Sequence, residues 1–464
     1  MTVYDFFVDF AWMSGLLLVA QFLRSKIKWL QNHYIPASLI AGTIGLILGP
    51  QVLKVIHWSA EASSYPYLLI CVIFGAIFLG KKMGGGKRGH LLHKVGDTFF
   101  INTGSEILCF GFALLLGGGI LLLFFPKVFP EFSLLLPSGF AGGHGYAAAI
   151  GGALNDLLGR EDAVYIGQVF ATLGLLVGLL GGIVCINVAA KKGYTRFVSR
   201  AVQLPEEVRR GFVPSEKRES IGENTTHTMS VDTLSWHLAL ILVAFGIGYA
   251  AKQGLDKLFP DLAFPLMCLT MLAGLLLQFL MKLIKHDTYI DKKTVDRCSG
   301  FMTDFLVAFG VATIKLSVFT EFLVPILIMA VIGIVWPLLI VFFVGKHLFK
   351  NFWFERSIFI FGYLTGIVAV GMTLLRCCDP DAKSETLDDF GYAYTVQSVI
   401  EVFLVAIIPL LTVKFGCLPV GIIVTVIGLA FLVACRLLFG WRGGSGADLR
   451  EGEAEKMNAG SLQE

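Results

Sequence analysis

Gly139-Phe140-Ala141-Gly142-Gly143-His144-Gly145 stands in the middle of an apolar stretch, 133–155, where a plain spanning helix has little use for so much glycine. A second interrupted stretch, 357–376, carries Thr365-Gly366 and Gly371-Met372-Thr373. One lies near the end of each half of the chain. Non-helical backbone at membrane depth survives only when buried in protein or facing a wet cavity, because lipid offers its N–H and C=O groups no partner. Interruptions at matching places in two halves therefore point to the ligand site of a secondary transporter.

Composition agrees with a membrane setting. Of 464 residues, 56% are hydrophobic and only 15% charged, with 39 Phe and a mean hydropathy of +0.75; a soluble domain of this length carries far more charge. The net charge of +3 is uninformative, and no basic, aromatic-interleaved patch suggests nucleic acid. Asp5 and Asp9 occupy the place of a positive signal-peptide start, so no cleavable leader is expected. The nine cysteines form no C-x-x-C pair and fall mostly in or beside apolar runs, which argues against a zinc site, a cluster or a disulfide framework.

Stretches able to cross about 30 Å of hydrocarbon, roughly 20 residues each, read at 6–23, 34–56, 66–80, 99–125, 164–189, 234–251, 263–281, 301–319, 323–344, 391–413 and 418–439. Lysine and arginine assign the sides. With the N-terminus outside and the C-terminus cytoplasmic, the inward segments hold 30 basic residues and the outward ones 5. That bias survives only if both interrupted stretches return to the side from which they came. The expected fold is thus an all-α polytopic membrane protein with two inverted five-helix repeats and opposed, glycine-rich re-entrant segments. The repeats are 1–189 and 234–415, joined by a polar cytoplasmic linker, 190–233. An extra span at 416–440 and a cytoplasmic tail at 441–464 follow. Asn224-Thr225-Thr226 fits a glycosylation sequon but falls in the cytoplasmic linker, so it is set aside.

Candidate binding residues come first from the interruptions. Gly142, Gly143 and Gly145 let backbone N–H groups approach a ligand, and a half-helix N-terminus suits a carboxylate. His144 has two readings, a ligand that donates to a carboxylate and a structurally satisfied histidine. Thr365, Gly366, Gly371 and Thr373 are the counterparts in the second stretch, with the threonine hydroxyls as Na⁺ ligands. Arg376 either clamps an anionic substrate or snorkels to the cytoplasmic interface. Ionisable groups within spans are costly and functional by default, which singles out Glu106, Asp304, Lys315 and Glu401. Asp304 and Lys315, eleven residues apart, would share a helix face three turns apart. Gln168 with Thr172, and Gln397 with Glu401, are i, i+4 pairs on the spans that follow the two interruptions. Sodium ligands are sought among Asp304, Thr373 and Glu401. Gly174-x-x-x-Gly178 is read as close helix packing.

These residues resemble the bacterial sodium/glutamate symporter family. The resemblance is carried by Tyr34-Ile35-Pro36 with Ala41-Gly42, by Ala141-Gly142-Gly143-His144-Gly145, by Ala171-Thr172-Leu173-Gly174-Leu175 and by Lys315-Leu316, and it runs from about residue 10 to 415. It implies inverted five-span halves, Na⁺ as coupling ion with no other cofactor, L-glutamate as substrate, a homodimer and a place in the bacterial inner membrane among its lipids. The chain departs from the family where Ile367-Val368-Ala369-Val370 fills the second interruption, in its longer linker, and in the extra span. Those departures leave aspartate or another small carboxylate open as substrate.

The first reading is therefore a sodium-coupled carboxylate symporter working by alternating access. A cation/proton antiporter that exchanges protons at buried acids is the alternative. No nucleophile–base pairing, metal-spaced cluster or phosphate loop suggests an enzyme or a primary pump.

Overall fold

The computed structural model describes residues 3–81, 88–126, 128–197, 206–218, 220–258, 266–349, 351–379 and 383–440. The tail expected at 441–464 and parts of the linker lie outside the described residues. Among those described there are helices and turns and no strands. Eight helices are long and apolar enough to cross a bilayer: Tyr4–Lys26, Val95–Phe124, Asp162–Lys191, Thr233–Leu258, Leu266–Leu283, Leu323–Leu348, Val396–Phe415 and Cys417–Phe439. The chain is an integral, multi-pass membrane protein.

The first half contains α1 (Val3–Lys26), α2 (Ala37–Leu48), α3 (Tyr65–Ala76), α4 (Arg88–Leu115), α5 (Leu135–Leu158) and α6 (Asp162–Leu176). The second contains α7 (Thr233–Leu258), α8 (Leu266–Leu283), α9 (Lys292–Ala312), α10 (Leu323–Leu339), α11 (Trp353–Thr365), α12 (Val368–Cys378), α13 (Thr386–Phe415) and α14 (Cys417–Phe439). Helices α4, α6 and α10 each run on through a wide π-type turn, at Leu116–Leu121, Val177–Gly181 and Ile340–Gly345.

Three of the eleven expected spans differ. The apolar run 34–56 forms only the 12-residue helix α2, about 18 Å long, because Gly49-Pro50 ends it. The run 66–80 likewise gives the 12-residue α3; beyond it Gly80 turns at φ 71 and its N–H donates to Gln278 Oε1 at 2.8 Å. The run 301–319 is interrupted. Helix α9 starts at Lys292, capped by the Asp291 carboxylate on Thr294 N, and stops at Ala312. There the Gln51 amide replaces helical hydrogen bonds, its Nε2 donating to Ile314 O at 2.6 Å and its Oε1 accepting from Leu316 N at 2.7 Å. Buried backbone groups must be paired, and a distant side chain pairs these. Lys315 consequently lies outside α9, and the expected face shared with Asp304 does not form.

Helix α2 packs on α9, with Gly42 against Ala308 and Val311, and α8 packs on α3, with Gly274 against Gly75. Helix α14 lies along α4 through a seam of small residues. Gly104, Gly111 and Gly118, seven apart, face Gly428, Thr425 and Cys417. Spacing of seven keeps one stripe of a helix against its neighbour, and small residues let membrane helices approach closely.

Both interrupted stretches are broken helices. In α5 the break is at Gly143, φ 61 and ψ −157, a conformation that glycine adopts far more readily than other residues. The chain on either side of α5 comes together, with the Arg160 guanidinium 4.3 Å from the Phe129 ring centre. The second break is at Gly366-Ile367 between α11 and α12. These two helices fold back on each other. A methyl on Gly362 would meet Gly371 Cα at 2.6 Å, and farther from the break Glu355 and Asp379 are close enough for their charges to interact.

Candidate substrate and ion site

The two breaks meet. A methyl on Gly143 would lie 2.7 Å from Ile367 Cγ2 and 3.1 Å from the Gly366 carbonyl oxygen. Gly142, Gly145 and Tyr146 are half-buried beside this junction, and Ile367 and Ala369 are exposed. Thr365 backs the junction, its carbonyl against Gly174 and its hydroxyl against Gly178 of the π-turn that extends α6. Turns of this kind often mark functional sites; here Gly174 and Gly178 combine the expected close packing with support of the break.

A neutral cluster flanks the junction on α6. His144 Nε2 lies 3.1 Å from Thr172 Oγ1, and that hydroxyl donates to the Gln168 carbonyl at 2.9 Å. The threonine hydrogen is thus used, and His144 Nε2 must be the donor to Thr172, which sets the imidazole tautomer. Gln168 Nε2 donates to the His144 carbonyl at 3.2 Å.

An acidic cluster flanks it on the other side. Tyr363, in the last turn of α11, donates to Glu106 Oε2 at 2.5 Å. Gln397 Nε2 on α13 donates to the same oxygen at 3.2 Å and to Tyr363 Oη at 2.9 Å. One turn later, Glu401 Oε1 accepts from Tyr146 Oη at 2.7 Å, and the Tyr394 hydroxyl also bonds the Glu401 carboxyl group. Glu106 and Glu401 are 2% and 4% exposed and sit close enough to repel. Among the described residues neither forms an ion pair.

The remaining expected residues lie apart from these clusters. Thr365 Oγ1 bonds its own helix at Phe361 O, 2.7 Å, and Thr373 does the same at Ala369 O, 2.8 Å. Gly371 is enclosed in the α11–α12 contact. Arg376 is exposed in the last turn of α12. Asp304 is exposed on α9 and bonds Ser38 of α2. Lys315 lines a cavity of about 320 Å³ with Glu61, Tyr67, Asn155, Glu161 and Tyr165, its ammonium 4.7 Å over the Tyr165 ring.

The sequence reading passed over Tyr146, Tyr363 and Tyr394. A signal for one of them was present, because Tyr165-x-x-Gln168 and Tyr394-x-x-Gln397 share a spacing. Also missed was a buried ion cluster at the foot of the second broken stretch. Arg356 pairs with Asp97 at 2.9 Å and with Asp389 at 2.7 Å, and donates to Thr98.

A family model described as sodium/glutamate symporter matches residues 4–366. The chain belongs to the sodium/glutamate symporter family. No individually curated protein matches it. The symporter match covers the first break and both flanks of α6, and it ends at Gly366, inside the second break. Helices α12 and α13, with Gln397 and Glu401, fall beyond it, as does α14; the similarity expected to reach 415 stops short of them.

Proposed function

We propose that this symporter-family protein imports L-glutamate, or a similar small carboxylate, across the bacterial inner membrane with Na⁺ as coupling ion. The observation that carries the reading is the contact of the Gly143 and Gly366-Ile367 breaks between a neutral and an acidic cluster. Substrate carboxylates bind at the junction, where helix N-termini after each break offer unpaired N–H groups and a positive dipole end. His144 Nε2–H, Gln168 and Thr172 line one wall. The acidic wall holds positive charge, either the coupling ion or the substrate ammonium. Binding of substrate and ion together neutralises the junction, so only the empty or the fully loaded site relocates at low cost. That condition couples the two fluxes, and alternating access follows from it.

Two inverted repeats, 1–189 and 234–415, with re-entrant segments 133–155 and 357–376 form the frame. Three features support this. The chain ends around α5 meet at Arg160 and Phe129, and α11 folds back on α12. Gln51, just after the second helix of one half, pairs the broken backbone after the third helix of the other, and Gln278, on the second helix of that half, returns the arrangement at Gly80. The charge bias supports an N-terminus outside, with the linker 190–233 and the C-terminus in the cytoplasm and 416–440 as an added span. A homodimer completes the assembly, to be checked by cross-linking in membranes.

Reconstituted protein should accumulate labelled L-glutamate only under an inward Na⁺ gradient, with competition from some carboxylates and not others. Cation/proton antiport is a second reading, favoured by two buried acids without an ion-pair partner. Proton movement driven by a cation gradient, without glutamate uptake, would select it.

A further inference from the structure

We infer that the coupling cation sits against three buried oxygens, Glu106 Oε1, Gln397 Oε1 and Glu401 Oε2, behind the junction rather than in it. All three lack a hydrogen-bond partner although their residues are at most 4% exposed. The opposite oxygens of both carboxylates are already held by Tyr363, Gln397 and Tyr146. The Tyr363, Gln397 and Tyr146 donors are thus spent on those oxygens, and the three oxygens left over are acceptors.

Buried acceptors without donors call for a positive occupant, and ionisable groups inside a membrane bundle mark ion paths. A single proton makes one O–H donor, which satisfies its own oxygen and one other and leaves the third unanswered. A hard, compact cation takes oxygen ligands of this kind. The C-terminal end of α11, whose last turn holds Tyr363, directs its negative dipole end here and adds to the attraction. Asn102, one turn before Glu106 on α4, also has its amide oxygen and nitrogen unpartnered at 1% exposure, a further oxygen on the same helix.

The Tyr363 and Tyr146 hydroxyls tie this cluster to both broken helices, one on each side of the junction. Cation binding therefore draws both breaks toward their substrate-binding geometry. This deepens the symporter reading and rests on it for the identity of the ion.

The test uses full-length protein, Na⁺ itself as probe, and the variants Glu401→Gln and Gln397→Met. Thermal unfolding is followed in NaCl against choline chloride at constant ionic strength, alongside glutamate uptake in proteoliposomes. The wild type should gain stability from Na⁺, and both variants should lose that gain. Their half-saturating Na⁺ for uptake should rise at least tenfold, with half-saturating glutamate little changed at high Na⁺. If one variant fails to fold, the other still decides.

An intact Na⁺ response in a folded variant overturns the site and leaves the symporter reading standing. Stabilisation by acid in place of Na⁺ overturns it in favour of a proton. A defect confined to glutamate competition, absent with glutarate, assigns the oxygens to the substrate ammonium and overturns it as well. Na⁺ stabilisation that depends on Glu401 and Gln397, without glutamate uptake by the wild type, upholds the site and rejects the symporter reading.

Discussion

Arg160 follows the first broken helix and Arg356 opens the second, yet the two feet are built differently. Arg160 pairs with Asp162 at 2.6 Å with its side chain 35% exposed, and rests on the Phe129 ring. The Arg356 side chain, 4% exposed, is shared between Asp97 and Asp389. The flanking helices repeat the contrast: Tyr165-x-x-Gln168-x-x-x-Thr172 on α6 and Tyr394-x-x-Gln397-x-x-x-Glu401 on α13 keep one spacing and change the last residue from a hydroxyl to an acid. Two similarly broken helices thus carry an asymmetric site. Neutral polar groups stand on one side of the junction and carboxylates on the other, an arrangement that suits the proposed zwitterionic substrate and coupling cation.

The widest difference should appear at the feet. Arg356→Ala leaves two buried carboxylates without their cation and should cost about 3–5 kcal/mol; Arg160→Ala, a part-exposed pair, should cost less than about 1 kcal/mol. Thermal unfolding in detergent measures both, and equal losses would break the contrast. Next come the flanking acid and hydroxyl. Glu401→Gln should lower Na⁺-driven uptake about a hundredfold and Thr172→Val about tenfold, the equivalents of roughly 3 and 1.4 kcal/mol. Equal losses would mean that charge is not what separates the walls.

The breaks themselves should differ by less. Gly143 has positive φ, so Gly143→Ala should cost about 1–3 kcal/mol of strain and suppress uptake. Gly366 lacks the positive φ of Gly143, and in Gly366→Ala the added methyl meets chiefly Val370, with Cγ2 at 2.7 Å. Similar stability of the two alanine variants would remove the distinction. Gln51→Ala removes two backbone hydrogen bonds and Gln278→Ala one, each worth about 0.5–1.5 kcal/mol; no loss at either would weaken the inverted-repeat frame. Arg376→Ala should alter uptake least, because its side chain is exposed. A large effect would bring Arg376 back to the substrate.

Much of this was legible in the chain. The glycine runs announced both breaks because lipid penalises unpaired backbone, and the i, i+4 glutamine pairs fell on the helices that flank the junction. Helix lengths were harder to read. The run 34–56 is apolar to its end, and hydropathy does not register that Gly49-Pro50 stops the helix. The interruption after Ala312 depends on Gln51, 263 positions away from Ile314, and no local pattern encodes such a partner. The same holds for Arg356 and Asp97, 259 apart, and for the tyrosine hydroxyls that join Glu106 to Glu401. Aromatic residues in an apolar helix read as packing until their partners are known.

The Gly104, Gly111 and Gly118 seam makes α14 a passenger of α4. Backbone meets backbone at Gly104 and Gly111, and the Cys417 side chain closes the seam at Gly118, which leaves little freedom for sliding, so the two helices should travel as one body. The outer face of α14 is apolar and open, with Ile423 59% and Leu438 60% exposed. A spin label at Leu438 would therefore report, from the lipid side, every displacement of the helix that carries Glu106, without touching the path of substrate or ion.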